Sequence, residues 1–399
     1  MDELARREIT RRRFLQAGAV AGIGAGSAAF LAACGGNSAT QAPTAAPATA
    51  APATPAPSGD APSVAPTTAA LPDLKGVTIN ALVWEGYTDD SFVKPFEDAT
   101  GAKVNSTFIG SNDELVAKLR GGGAELYDVM TPSCDTDRIV IDAGLAMPLD
   151  QAKIPNWATC YDAFKTADAV VKDGKLYGVP MCWGVIPLLV DTEKIPDPAD
   201  TWGILWDPKY KGQLSIWNDI STIWSTGMYL GFPDVYNLSD DQLAQIKAKL
   251  VEQKPLVRKY WSTAGELTNL FANGEVSAAN SFGGLTYTQL TGQGKKMKEY
   301  VPKEGATAWV DYWLVSAGTK NADAAQVFLN YIQDAKTQSL IYAATGYGPT
   351  NQNVVPLLDK DSVALYHLDE PDYMTGLSLW QAVPNRAKYL DILNAVLAA

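Results

Sequence analysis

The alternation of strand-like and helix-like stretches between Gly76 and Ser133 constrains this chain more than any other feature. Gly76 to Trp84 mixes small and β-branched residues and reads as a strand. Thr88 to Ala99 is helical and runs into Gly101, a residue suited to closing a helix in the left-handed conformation. Lys103 to Ile109 is a second strand. Ser111-Asn112-Asp113-Glu114 has the spacing of a capping box and opens a helix to Arg120, which Gly121 to Gly123 stop. Tyr127 to Ser133 is a third strand. This order and spacing predict an open α/β sheet. Ligands of such sheets sit beyond the carboxyl ends of the strands. Here those ends are Trp84-Glu85-Gly86-Tyr87 and Ser133-Cys134-Asp135.

The pattern changes at Gly178 to Val190, a long extended run with no helix between its halves, which reads as a crossing into a second α/β region. There Leu205 to Gly212 forms a turn into a strand from Gln213 to Trp217. Ser239 caps a helix to about Glu252. Ala264 to Asn273 is helical and closed by Gly274, and a strand from Glu275 to Phe282 follows. Ala306 to Trp313 is the return crossing. It alternates as a strand does, and a period of two puts Trp309, Asp311 and Trp313 on one face. A ring beside a carboxylate suits an ammonium: the π-face attracts the cation and the carboxylate accepts its hydrogens. Asp323 to Thr337 then reads as a helix returning to the first region.

The chain has 399 residues, 47% of them hydrophobic, which is enough for two medium cores. Its net charge is −12. Residues 1–33 carry five arginines against Asp2, Glu3 and Glu8, so the remainder stands at −14. An acidic surface disfavours nucleic acid and is compatible with a cationic ligand. The single histidine, His367, argues against a histidine-rich metal site and against a hydrolase that needs imidazole. No cofactor is expected.

The first residues read as export signals. Thr10-Arg11-Arg12-Arg13-Phe14-Leu15-Gln16 resembles a twin-arginine signal. The apolar stretch Ala17 to Leu31 is too short and too weakly apolar for a good permanent span. Leu31-Ala32-Ala33-Cys34 resembles a bacterial lipobox. The resemblance implies a signal peptide over residues 1–33, cleavage before Cys34 and lipid on its sulfur. The protein would then sit, membrane-anchored, on the periplasmic or extracellular face. Residues 34–72 are rich in Ala, Pro and Thr and cannot bury enough surface to offset their ordering entropy, so a disordered tether is expected. Outside the cytoplasm a disulfide is expected among Cys134, Cys160 and Cys182, with Cys134–Cys182 the preferred pair because Cys182 lies in the crossing near the end of the third strand.

Trp84-Glu85-Gly86-Tyr87, Tyr127 to Ser133, Trp206 to Gly212, Trp309-Val310-Asp311 and Gly346 to Asn351 form an ordered set. Together they resemble the polyamine-binding proteins of bacterial ABC importers, from Gly76 to the C-terminus. The resemblance implies a two-lobed periplasmic-binding-protein fold, type II-like, with two open α/β sheets joined by crossing strands. Lobe 1 would comprise residues 73–183 and 310–355, and lobe 2 residues 184–309 and 356–399. It implies an aromatic cage from Trp84, Tyr87, Trp309 and Tyr347, with Phe282 where the family usually has tryptophan. It implies Asp311 and Asp219 as ligand carboxylates and Ser133 and Gln381 as polar contacts. The chain departs from the family at Thr222, where a second acid is common; Asp135 or Glu85 would supply that charge. Without it the ligand is shorter, or carries fewer charges, than spermidine. The expected function is thus non-catalytic capture of a di- or polyamine, by a monomer that delivers it to the membrane subunits of an ABC importer. The alternatives are a receptor for another cation or an amino acid, an exported hydrolase using Asp219 with Asp311, and a purely structural surface lipoprotein.

Overall fold

A computed structural model describes residues 71–165, 168–370, 373 and 378–398. The export signals, Cys34 and nearly all of the proposed tether lie outside the described residues. In chain order the first part comprises β1 (Thr78–Trp84), α1 (Asp90–Thr100), β2 (Lys103–Ile109), α2 (Asn112–Arg120), β3 (Val129–Met130), α3 (Asp137–Asp142) and α4 (Asp162–Lys165). A small hairpin follows, β4 (Val171–Lys172) with β5 (Lys175–Leu176), and then β6 (Gly178–Val185) and β7 (Leu188–Asp191). Next come β8 (Leu214–Trp217), α5 (Ser221–Tyr229), α6 (Asp240–Gln253), β9 (Val257–Trp261), α7 (Ala264–Ala272), β10 (Ala278–Asn280), α8 (Leu285–Gly292) and β11 (Met297–Tyr300). The last elements are β12 (Ala308–Val315), α9 (Ala322–Ile332), α10 (Ala335–Thr345), β13 (Gly348–Pro349), α11 (Lys360–Leu365) and α12 (Arg386–Ala398).

These strands build two mixed sheets. The first runs β13-β6-β12-β3-β1-β2 and the second β11-β7-β10-β8-β9. In the first, β1 pairs in parallel with β2 and β3, and β12 runs antiparallel to β3 and β6. In the second, β8 pairs in parallel with β9 and β10, and β7 runs antiparallel to β10 and β11. β6 and β7 are consecutive yet belong to different sheets, with Ile186-Pro187 between them; β11 and β12 make the return. The described chain thus has the two-lobed α/β architecture, with its lobes joined by crossing strands.

Local chemistry explains the boundaries. The Asp89 side chain caps α1 by accepting from Ser91 N–H, and left-handed Gly101 closes it. At α2 the capping box is only half formed: Ser111 accepts from Glu114 N–H, but Glu114 reaches past Ser111 to the Gly110 N–H. The box at α6, between Ser239 and Gln242, is complete. β3 is much shorter than the expected Tyr127–Ser133 strand, since Pro132 has no N–H to donate to a ladder. The expected single helix over Asp323–Thr337 is two helices. Gln333 ends the first, and the Asp334 carboxylate caps the second through Lys336 and Thr337 N–H.

A proline also shapes the junction of the lobes. Between β6 and β12 the register slips by one: Asp311 faces Cys182, whereas Tyr312 faces Pro180, leaving Met181 as the extra residue of a bulge. Pro180 cannot donate to β12, and the bulge accommodates it beside Asp311. The lobes touch backbone to backbone where Gly284, ahead of α8, meets Gly346, at the end of α10. Gly284 has φ +35°, and a Cβ there would lie 2.5 Å from the Gly346 carbonyl oxygen. Gly284→Ala is therefore expected to lower the unfolding free energy by roughly 1–3 kcal/mol and to open the lobes. Urea unfolding and small-angle scattering check this; unchanged stability and radius of gyration would contradict it.

Candidate functional site

Four parallel strands deliver their carboxyl ends to one cavity. β1 ends in Trp84, with Glu85 and Tyr87 just beyond, and β3 is followed by Ser133. From the second sheet, β8 ends in Trp217 and β10 is followed by Phe282. β12 contributes Trp309 and Asp311, while Trp313, further along the same strand, packs into the lobe core against Phe328. Tyr347 and Trp380 complete the wall around about 320 Å³ of atom-free space. The rings meet edge to face: Trp217–Phe282 at 4.4 Å, Trp309–Tyr347 at 4.8 Å and Trp84–Phe282 at 6.0 Å between centroids. Trp309 lies across β6 because residue 184 is glycine; a Cβ there would sit 2.8 Å from the indole. The indole N–H donates to the Phe282 carbonyl at 3.2 Å and so ties the crossing strand to the second sheet.

Asp311 is the charged centre of this cavity and is 3% exposed. The Tyr87 hydroxyl donates to its Oδ2, and the Cys182 thiol donates to Tyr87 Oη at 3.2 Å, forming a relay behind the carboxylate. Oδ1 has no hydrogen-bond partner among the described residues. Burial pushes the Asp311 pKa up to about 7, and the neighbouring Ser133 and Tyr87 hydroxyls only partly offset that rise. Burial and the nearby Asp311 carboxylate raise Tyr87 well above the usual phenol range. No lysine or arginine lines the cavity. An anion buried without a counter-charge is costly, which is why the carboxyl holds its proton to higher pH than usual.

Of the expected site residues, Trp84, Glu85, Tyr87, Ser133, Phe282, Trp309, Asp311 and Tyr347 come together here. Glu85 is half-buried at the rim, and its carboxylate accepts the Gly265 N–H at 2.9 Å in the first turn of α7, linking one lobe to the other. Asp135 is elsewhere. It is fully buried, accepts from Asn112, and pairs with Arg386 Nη1–H at 2.6 Å, while the rest of the guanidinium fork grips Asp113. Its charge is already answered, so it cannot stand in for the acid missing at Thr222. Asp219 is buried outside the cavity wall, where its Oδ1 accepts the Ser221 N–H at 2.9 Å and its Oδ2 has no hydrogen-bond partner among the described residues. Burial pushes its pKa up to about 7. The acid pair that a hydrolase would need therefore does not share a cavity. Gln381 is exposed, and its neighbour Trp380 lines the wall instead, its indole N–H held by Thr307 Oγ1 at 2.9 Å.

The expected Cys134–Cys182 disulfide is not formed. Each described thiol is free and has its own acceptor: Cys134 the Trp380 carbonyl, Cys182 the Tyr87 hydroxyl and Cys160 the Gln333 side chain. Sequence reasoning missed Trp217 and Trp380. The strand-end rule, applied to the second sheet as it was to the first, points to Trp217. Trp380 lies in an irregular segment without such a signal.

Residues 91–367 match the family model described as bacterial extracellular solute-binding protein. The chain is 26% identical over 302 residues to the putrescine-binding periplasmic protein of Escherichia coli, a match covering 71% of this chain and 80% of that protein. It is 26% identical over 307 residues to spermidine/putrescine-binding periplasmic protein 1 of Haemophilus influenzae, covering 74% and 81% of the two chains. A solved structure described as a putative spermidine/putrescine ABC transporter from Listeria monocytogenes superposes with a TM-score of 0.72 at 25% identity, covering 80% of this chain and 98% of that one.

The raised pKa of Asp311 makes ligand-free stability depend on pH. Its folded value, about 7, exceeds the ordinary 3.8, so its contribution is fully present below about pH 4 and is lost as pH rises to 7. Asp311→Asn keeps an acceptor for Tyr87 and removes that loss. We expect the ligand-free variant to melt above the unsubstituted protein at pH 8 and to match it near pH 4. An equal or lower melting temperature at pH 8 would contradict the assignment.

Proposed function

Because the chain belongs to the bacterial extracellular solute-binding protein family, whose members bind solutes and are not enzymes, we propose that it captures a small diamine of the putrescine class for ABC-type import. The observation that carries this reading is the buried Asp311 carboxylate, which lines a ring-walled cavity with no lysine or arginine among its described lining residues. One ammonium group would donate to Asp311 and lie against Trp309, Tyr347 and Trp84. A charge-assisted hydrogen bond contributes roughly 1.5–3 kcal/mol and a desolvated cation–π contact about 2 kcal/mol. Several such contacts supply the roughly 8 kcal/mol of a micromolar complex after ordering costs. The names of the relatives from Escherichia coli and Haemophilus influenzae agree with an amine ligand.

The charge inventory favours a short ligand. Asp135 is neutralised by Arg386, and Asp219 stands outside the cavity wall, so Glu85 at the rim is the one further carboxylate in reach of a second ammonium. Putrescine, with two charges, fits this better than spermidine, with three. Ligand binding would favour the closed lobes by its differential affinity for that state. We further propose that the lobes divide at the crossings, residues 73–183 with 310–355 against 184–309 with 356–399. In the same reading the chain is exported by the twin-arginine route, anchored to the membrane by lipid at Cys34 on the periplasmic or extracellular face, and works as a monomer.

Calorimetry with putrescine, spermidine, choline and arginine tests the reading. Putrescine is expected to bind in the micromolar range and tighter than the other three, with Asp311→Asn removing its tightest binding event. No heat with either polyamine would overturn the proposal. The affinity should also titrate. An ammonium requires ionised Asp311, so affinity is fully present above about pH 7 and falls by roughly tenfold per pH unit below it. A pH-independent affinity between 5 and 8 would contradict the role of Asp311.

A further inference from the structure

Behind Phe282 and Tyr347 lies a second, larger cavity, with about 750 Å³ of atom-free space against about 320 Å³ in the first. Both rings line both cavities, so they form a shared wall. Trp183, Tyr300 and Tyr366 also line it, and among the described lining residues the one carboxylic acid is Glu299, on β11. The polar tips of these rings are engaged elsewhere. Trp183 N–H donates to the Pro349 carbonyl, the Tyr366 hydroxyl to the Gly346 carbonyl and the Tyr300 hydroxyl to the Ala199 carbonyl. The Lys298 ammonium already lies over the Tyr300 ring, 4.8 Å from its centroid, so the rings left to a ligand are Trp183 and Tyr366. The Glu299 carboxylate accepts from Ser281 Oγ–H at 3.0 Å and Gly284 N–H at 3.1 Å. A carboxylate has about four acceptor sites, so roughly two remain open. No lysine or arginine lines this cavity.

We propose that this cavity is a second ammonium-binding site, separate from the one at Asp311, in which Glu299 is the counter-ion and the surrounding rings supply cation–π contacts. The ligand class is a small organic ammonium. Glu299 also holds the two ends of the Ser281–Gly284 turn that carries Phe282, so a cation drawn to it bears directly on the wall of the first cavity. The proposal depends on the reading of the Asp311 site only for the choice of probe.

The test is amine stoichiometry by native mass spectrometry and calorimetry, with putrescine and tetramethylammonium as probes, on four proteins: unsubstituted, Asp311→Asn, Glu299→Gln and the double variant. Gln at 299 can keep both turn contacts, donating to Ser281 Oγ and accepting from Gly284. Binding at Asp311 in that variant reports that the fold is intact. We expect two equivalents of amine on the unsubstituted protein, one on each single variant and none on the double variant. Glu299→Gln should weaken the second event by roughly tenfold or more. One equivalent, lost entirely in Asp311→Asn and unaltered in Glu299→Gln, would overturn the second site and leave the first standing. It would make Glu299 a holder of the Phe282 turn alone. No amine bound to any of the four would overturn both sites.

Discussion

The centre of this molecule holds a buried carboxylate with no counter-ion among the residues lining its cavity. Asp311 lies on the strand that joins the two sheets, and its neighbours satisfy one oxygen and leave the other open. Desolvation of the ionised form is the dominant cost, which explains why burial alone carries its pKa to about 7. A protein could relieve that cost with an arginine, and this one does so at Asp135 through Arg386. At Asp311 no lysine or arginine is among the described residues lining its cavity.

The same economy appears in how the lobes meet. Arg386, at the start of α12, reaches from the helix that packs on α6 to Asp113 and Asp135 beside α2 and α3. Glu85 grips the first turn of α7, and Gly284 abuts Gly346. These contacts are polar or made by glycine backbones, and beside them Trp84 of one lobe meets Trp217 and Phe282 of the other edge to face. A ligand with greater affinity for the closed arrangement would shift the balance between states.

Much of this was legible in the sequence because it rests on local rules. Strand ends nominate Trp84, Tyr87 and Ser133, and alternation nominates Trp309 and Asp311. The crossing at Gly178–Val190 shows itself by the lack of a helix. What remained hidden depends on partners far away in the chain. Asp135 reads as a free acid because Arg386, which neutralises it, follows 251 residues later. By resemblance Asp219 reads as a ligand carboxylate, yet it is buried away from the cavity wall and accepts the Ser221 N–H. The cysteines suggest a bridge until each thiol is seen to have found a hydroxyl, carbonyl or amide oxygen. The bulge at Met181 follows from Pro180, but only pairing with β12 reveals which residue it sets beside it.

The central claim is that a bound ammonium takes the place of the proton on Asp311, and proton counting tests it most directly. Calorimetry of putrescine binding at pH 7 in buffers of different ionisation enthalpy measures the protons released per ligand. Measured in the Glu299→Gln background, and with an unliganded Asp311 pKa of about 7, the account predicts release of about half a proton, lost when Asp311→Asn is added. Binding with no proton release, or with the same release in that variant, would contradict it.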